Sequence, residues 1–145
     1  MNNFYNVYYM RELIIEPTSN SPKVLYDPKT SRFEISGESR PENASVFYKP
    51  ILEWVQELET FLTKNNSQSN TPFEFNFRFD YFNSTSAKFI LDFCKKLGQL
   101  HSQGKQIVIR WHYEEDDEDM LEVGREMSRM SKLPFEYIEI KFCKK

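Results

Sequence analysis

The strongest constraint on the fold is the run FEFNFRFDY, in which aromatic and polar side chains alternate strictly. Successive side chains of a β-strand point to opposite faces, so this period of two predicts a strand with one apolar face. The covered face would hold Phe73, Phe75, Phe77, Phe79 and Tyr81, and the other face Glu74, Asn76, Arg78 and Asp80. A sheet built on such a strand carries helices mainly on one side.

Other segments have the same strand character. Lys105 to Tyr113 alternates again, with Ile107, Ile109, Trp111 and Tyr113 predicted to face inward. Shorter strands are predicted before and after these two, because apolar runs there are bounded by turn-forming residues. They are Leu13 to Glu16, Lys23 to Tyr26, Arg32 to Ile35, and a last strand with Ile138, Ile140 and Phe142.

Three segments have the apolar spacing of three and four that predicts amphipathic helices. The first spans Glu42 to Lys64, and Pro50 suggests that its regular part begins near that residue, with a looser lead-in before it. The second carries Ile90, Phe93, Leu97 and Leu100 and should end near Gly104. The third runs from Met120 to Met130, and the loop NNSQSNTP separates the first helix from the alternating strand.

The predicted fold class is α/β, in the order βββαβαβαβ. The strand, helix, strand units imply right-handed crossovers between parallel strands, in a mixed sheet of about five to six strands with helices mainly on one face. The length of 145 residues fits one domain. We assign residues 13–145 to that domain and residues 1–12 to an N-terminal extension.

Charge and composition exclude several classes of function. The chain has no basic stripe for a phosphate backbone, so nucleic acid is not expected as a partner. No signal peptide and no membrane-spanning run is evident, and Cys94 and Cys143 have no CxxC spacing. We therefore expect a cytoplasmic protein without membrane insertion, with buried free thiols.

The segment Asn83, Ser84, Thr85 and Ser86 lies between the alternating strand and the second helix. One such residue serves as an N-cap, whose side-chain oxygen accepts a bond from a free backbone N–H. Consecutive hydroxyls at a helix N-terminus also suit phosphorylation, because a phosphoryl group brings negative charge to the positive end of the helix dipole. The residues alone leave both interpretations open. The segment also matches a glycosylation sequon, which we treat as chance in the absence of a secretory signal.

The acidic run EEDDED forms the second candidate site. It lacks the alternation and the central glycine of a calcium-binding loop, so neither a metal nor another cofactor is predicted. Its carboxylates should complement the dipole at the start of the third helix. Its excess charge also offers an electrostatic contact for a basic partner, through Glu114, Glu115, Asp116 and Asp117.

No familiar catalytic motif occurs, and we predict no catalytic residues. Arg78, Asp80, Arg110 and His112 could meet on the uncovered sheet face, where a solvated ion-pair surface is the simplest expectation. The other histidine, His101, has no metal-ligand spacing. A metal-dependent enzyme that uses the acidic run with His112 remains an alternative from another class.

Three segments in this order resemble the SiaC family of bacterial regulatory phosphoproteins: GESRPENASVFYKPILEWV, FDYFNSTSAKFILDF and IRWHYEEDDEDMLEVG. The likeness runs from about Leu13 to Phe142. It implies a fold similar to the STAS domains of anti-sigma-factor antagonists. It also implies that a Ser/Thr kinase and a phosphatase act on the chain, and that the unphosphorylated form binds a diguanylate cyclase and promotes biofilm formation.

The same resemblance singles out one hydroxyl of the NSTS segment. The family's phosphoacceptor is the first hydroxyl after the asparagine of an NTSS-like motif, which corresponds to Ser84. Because this chain has serine there and threonine next, Thr85 is the alternative acceptor. The predicted supporting residues are Asn83, Thr85 and Ser86. An unregulated interaction scaffold is the remaining alternative, and the sequence does not define the effector or the oligomeric state.

Overall fold

The computed structural model describes residues 9–64 and 72–142, which form a six-stranded sheet and three helices. The strands are β1 (Leu13–Ile15), β2 (Lys23–Asp27), β3 (Arg32–Ser39), β4 (Phe73–Phe82), β5 (Ile107–Glu114) and β6 (Phe135–Ile140). The helices are α1 (Ala44–Lys64), α2 (Ser84–Ser102) and α3 (Glu118–Ser131). This order confirms the predicted βββαβαβαβ arrangement. Residues 1–8, Cys143 and nearly all of the NNSQSNTP loop lie outside the described residues.

The strands lie in the sheet in the same order as in the chain. The pairs β1–β2 and β2–β3 are antiparallel, and the pairs β3–β4, β4–β5 and β5–β6 are parallel. Each parallel pair is joined through one helix, and every crossover steps in the same direction across the sheet. Because such crossovers are right-handed, all three helices lie on one face, as the alternating strands predicted.

The core lies between the inner sheet face and the helices, and it is unusually aromatic. Trp54 of α1, Phe75 of β4 and Trp111 of β5 are fully buried. Their rings contact neighbours throughout the layer: Trp54 lies 5.4 Å from Phe33, and Trp111 lies 5.8 Å from Phe77, between ring centroids. Such pairs add directional contacts to the hydrophobic burial, so the helices are held in one position over the sheet.

The outer sheet face is polar and carries a row of ion pairs across four strands. Arg32 pairs with Glu74 at 3.1 Å, Glu74 with Arg110 at 2.8 Å, and Arg110 with Glu136 at 3.1 Å. In the next row His112 donates to Asn76 over 3.1 Å. The ion pairs of Arg110 agree with the ion-pair surface that the sequence predicts for this face.

The predicted alternation of β4 is wrong at its end. A bulge at Asp80 shifts the register with β3, so that Phe79 opposes Gly37 while Tyr81 opposes Glu38. The extra residue reverses the facing of the next side chains. Tyr81, expected in the core, is therefore 48% exposed, and Phe82 instead packs against Phe79 at 5.0 Å.

The predicted start of the first helix is also wrong, because α1 is regular from Ala44 and includes Pro50 in its second turn. Asn43 caps this start: its side-chain oxygen accepts from Val46 N at 3.2 Å, and its carbonyl from Phe47 N at 3.0 Å. Burial of Tyr48 against the core then offsets the hydrogen bond that Pro50 cannot donate.

The ends of the chain differ in smaller ways from the prediction. β6 begins at Phe135, which pairs with Ile109, rather than near Ile138. Before β1, Met10 is buried and the carbonyl of Arg11 accepts from Trp54 Nε1 at 3.1 Å. Among the helices of the described ranges, none is long and apolar enough to cross a membrane.

Candidate functional site

The candidate site lies at the edge of the sheet where the parallel strands end. Strands β3, β4 and β5 run side by side in the same direction, so the residues at and after their carboxyl ends come together there. These residues are Ser39, the segment Asn83 to Ser86, and the acidic run from Glu114 to Asp119. Ligand and partner sites of open α/β sheets form preferentially at this edge.

Asn83 is the N-cap of α2. Its side-chain oxygen accepts from Ser86 N at 2.9 Å, and its carbonyl accepts from Ala87 N at 2.9 Å. Its own N–H donates to the carbonyl of Ser39 at 3.1 Å, which ties the helix start to the neighbouring strand. The cap expected within the NSTS segment is therefore the asparagine, and no hydroxyl is needed for that role.

Ser86 is completely buried and belongs to a chain of three hydroxyl groups. Tyr48 Oη lies 2.6 Å from Ser39 Oγ, and Ser39 Oγ donates to Ser86 Oγ over 2.9 Å. Ser86 Oγ donates in turn to the carbonyl of Ser39 over 3.1 Å. We call Ser39, Tyr48 and Ser86 the hydroxyl chain; it links β3, α1 and α2 beneath the site.

The donors of the hydroxyl chain have a single consistent direction. Because Ser39 gives its proton to Ser86, Tyr48 must donate to Ser39. Burial raises the pKa of Tyr48 to about 12, although its contacts with Ser39 and Ser86 act in the opposite direction. The phenol therefore stays protonated at neutral pH and keeps its role as donor.

Ser84 and Thr85 are both exposed, but they project in different directions. The buried side of α2 includes Ser86 and Ile90. With about 100° between successive helical residues, Ser84 lies about 200° from Ser86, which is nearly opposite the core. Thr85 lies on the flank that it shares with Phe89, and Phe89 stacks on Tyr48 of α1 at 5.6 Å.

The acidic run is partly used to hold its own turn. Asp117 is the N-cap of α3, and its carboxylate accepts from Met120 N at 3.0 Å. Glu115 accepts from the backbone N–H of Phe142 at 3.2 Å. Glu114 and Asp116 are exposed. Of the four residues predicted to contact a partner, two therefore have structural contacts of their own and two face solvent.

The start of α3 has the electrostatics that the sequence predicted. Glu118 and Asp119 occupy its first turn, where carboxylates complement the positive end of the helix dipole. Within residues 9–64 and 72–142, no group of three His, Cys, Asp or Glu side chains could hold a metal ion.

His112 points to the outer face of the sheet. Burial lowers its pKa, and the nearby charges of Arg78 and Arg110 lower it further, against an opposing effect of Glu34. The neutral ring donates from Nε2 to Asn76. Arg78, Glu34 and Asn76 line a shallow depression with it, whereas Asp80 and Glu114 border a different one nearer the strand ends.

Sequence reasoning missed Ser39 and Tyr48. Ser39 follows the inward parity of Phe33 and Ile35 in β3, so a buried serine at the strand end could have been predicted. Its partner Ser86 lies 47 residues away, and no local pattern signals that contact. Cys94 is a buried free thiol, as predicted, and burial raises its pKa.

Comparison with known proteins gives consistent results. The model of the SiaC family regulatory phosphoproteins matches residues 15–140. The chain is 29% identical, over 126 residues, to an uncharacterised protein of Pseudomonas aeruginosa. The match covers 87% of this chain and 94% of that protein.

Solved structures of Pseudomonas aeruginosa proteins have a similar fold. Apo-SiaC is 29% identical to this chain with a TM-score of 0.74, and the match covers 89% of this chain and 99% of that one. The structure of the diguanylate cyclase SiaD in complex with its activator SiaC contains a chain with 28% identity and a TM-score of 0.76. That match covers 88% of this chain and 99% of the other.

Proposed function

This chain belongs to the SiaC family of regulatory phosphoproteins, and from that premise we propose that it is a non-catalytic signalling protein whose partner binding is switched by phosphorylation of Ser84. The observation that carries the proposal is the division of roles within the NSTS segment. Asn83 caps the helix and Ser86 is buried, while the exposed Ser84 points away from the core.

A phosphoryl group on Ser84 would change the surface without refolding the domain. It would add about −1.5 to −2 charges at an exposed point of the helix start. The helix dipole favours negative charge at this position, so the phosphorylated helix stays formed. A docked partner would meet the bulk and the hydration of the phosphoryl group in the same place, and it would be released.

The partner we propose is a diguanylate cyclase or a similar effector, because SiaC of Pseudomonas aeruginosa is the activator of the cyclase SiaD. The effector would dock at the carboxyl edge of the sheet, where Glu114 and Asp116 offer exposed carboxylates to a basic surface. A Ser/Thr kinase and a phosphatase would set the state of the switch inside the bacterial cell.

The direct test is to incubate the purified chain with its cognate kinase and ATP, and to map the modified residue by mass spectrometry. We expect one phosphate on Ser84 and none on Ser86. Ser84→Ala should abolish the modification, and Thr85→Ala should retain it. Phosphate on neither Ser84 nor Thr85 would exclude the switch, and modification of Thr85 alone would assign it to the alternative residue.

The same preparations distinguish a switch from an unregulated scaffold. Binding to the cyclase, measured with unmodified and phosphorylated chain, should fall about tenfold or more on phosphorylation. A loss of about 1.4 kcal/mol suffices for this, and desolvation of a charged group in an interface costs more. Equal binding of the two forms would favour the scaffold. Dephosphorylation should restore binding, which controls for damage to the protein.

A further inference from the structure

The proposed acceptor lies in a folded helix start and not in an extended loop. Ser84 is the first residue of α2 and is flanked by two packed side chains. On one side Phe82 contacts Phe79 at 5.0 Å and Trp111 at 6.3 Å. On the other side Ser86 is fully buried. The chain cannot be drawn into an extended conformation at Ser84 without removing one of these neighbours from the core.

Unwinding the helix start would break several hydrogen bonds at once. The side-chain oxygen of Asn83 would lose Ser86 N, and Ser86 Oγ would lose both the carbonyl and the hydroxyl of Ser39. Each hydrogen bond lowers the population of the unwound form by about fivefold, so the three bonds together lower it by about 100-fold. An enzyme that needs an extended acceptor would therefore find this one poorly available.

The hydroxyl chain also fixes the start of α2 relative to α1. Tyr48 donates to Ser39 over 2.6 Å from the second turn of α1. Its ring stacks on Phe89, which is one helical turn after Thr85. Val46, in the first turn of α1, is 65% exposed. The two helix starts thus lie side by side. We call their exposed residues, Val46 of α1 with Ser84 and Thr85 of α2, the composite surface; the hydroxyl chain lies beneath it.

On the basis of the proposed function, we propose that the kinase recognises this composite surface as a folded unit, and that the hydroxyl chain positions it. The partner is thus an enzyme that docks on tertiary structure rather than one that reads a short linear motif around Ser84. Ser39, Tyr48 and Ser86 are positioning residues, because they act through the placement of Ser84. None of them needs to touch the kinase.

The test compares folded and unfolded full-length substrates with the kinase that modifies the wild-type chain. Trp54→Asp places a charge at a fully buried position and should unfold the chain, which circular dichroism verifies. All three hydroxyls of the NSTS segment are then accessible. We expect kcat/KM to fall about 100-fold or more for this variant, because the acceptor is no longer positioned. A kcat/KM within about threefold of the wild-type value would overturn the proposal, because the loss of positioning predicts a much larger decrease.

A second pair of variants tests the hydroxyl chain in a folded protein. Tyr48→Phe removes only the terminal donor, and Tyr26→Phe is its matched control. Tyr26 is also buried, with Ser31 beside its hydroxyl, but it lies near Trp54 and Phe73 at the opposite end of the core. We expect both changes to lower the free energy of unfolding similarly. Only Tyr48→Phe should lower kcat/KM, by about fivefold.

Amide hydrogen exchange provides a measurement that does not depend on the kinase. Exchange at Ser86 and Ala87 should become about fivefold faster in Tyr48→Phe and stay unchanged in Tyr26→Phe. Equal exchange and equal phosphorylation in the two variants would overturn the role of the hydroxyl chain. If wild type gains no phosphate on Ser84 or Thr85, the proposed function fails. If it is modified equally well folded and unfolded, only this inference fails.

Discussion

At the scale of single residues, the NSTS segment shows how adjacent polar side chains take different roles. Asn83 satisfies the helix start, Ser86 satisfies the core, and Ser84 faces solvent. The residue types alone do not distinguish these roles, since serine serves equally as a helix cap, as a buried hydrogen-bond donor or as an exposed phosphoacceptor. The distinction comes from the position of each residue around the helix axis.

The cap gives a residue-scale prediction. Asn83→Ala removes the acceptor of Ser86 N and should lower the free energy of unfolding by about 1 kcal/mol. Asn83→Asp keeps an acceptor in the same place and should recover most of this loss. Urea denaturation followed by circular dichroism measures both. Equal stability of the alanine and aspartate variants would contradict the assigned role.

His112 predicts a dependence of stability on pH. Its pKa in the folded protein is lowered by burial and by Arg78 and Arg110, so the unfolded state binds more protons below the ordinary value of about 6.5. The stability due to neutral His112 is complete above that pH. It is lost as the pH falls from about 6.5 through the folded-state pKa.

His112→Gln should remove this part of the acid sensitivity. The slope of the unfolding free energy against pH, measured by urea titrations from about pH 7 downward, should be smaller than in wild type. His101→Gln is the control, because His101 lies in the last turn of α2 and is not part of the outer face. The two variants having identical slopes would show that His112 does not cause the effect.

At the scale of secondary-structure elements, the contact between α2 and α3 depends on a residue without a side chain. A Cβ atom at Gly98 would lie 2.3 Å from the backbone carbonyl oxygen of Ser131. Ser131 is the last residue of α3 and cannot move freely, because Leu133 continues into the core. The glycine therefore sets how closely α2, which carries the proposed phosphoacceptor, approaches α3, which follows the acidic run.

Gly98→Ala should destabilise the protein despite the better helix propensity of alanine. The propensity gain is about 1 kcal/mol. We expect the overpacking to exceed it and to produce a net loss of about 1 to 3 kcal/mol. Gln99→Ala, at the exposed neighbouring position, controls for changes in propensity. Thermal and urea unfolding should rank the glycine variant below both wild type and control, and a stabilised Gly98→Ala would disprove the contact.

The elements also show what sequence patterns can predict. Apolar period and spacing, together with the turn residues that bound the shorter strands, predicted every strand and helix of the described chain, because these signals are local. The bulge at Asp80 escaped prediction because it depends on pairing with Gly37 and Glu38 of another strand. The start of α1 was not predicted correctly, because the effect of Pro50 on a helix is local and visible in the sequence. The burial of Tyr48 that compensates for it depends on tertiary contacts.

At the scale of the whole molecule, the one-sided sheet separates two surfaces. On the outer face, the charges of the row from Arg32 to Glu136 pair with one another. The carboxyl edge instead presents exposed groups, among them Tyr81, Ser84 and Asp116. Regulation and partner binding are therefore expected at the edge. The sequence alone indicated the likeness to the SiaC family, but the structure was required to identify the hydroxyls that are exposed there.

The strand order has a consequence for how the protein is made. Each new strand is added beside the one synthesised just before it, so no early segment must wait for a distant part of the chain. Ser39 and Tyr48 leave the ribosome before Ser86 does. The groups that Ser86 contacts are thus synthesised first, and the proposed phosphoacceptor Ser84 can take its position as soon as α2 packs on the sheet.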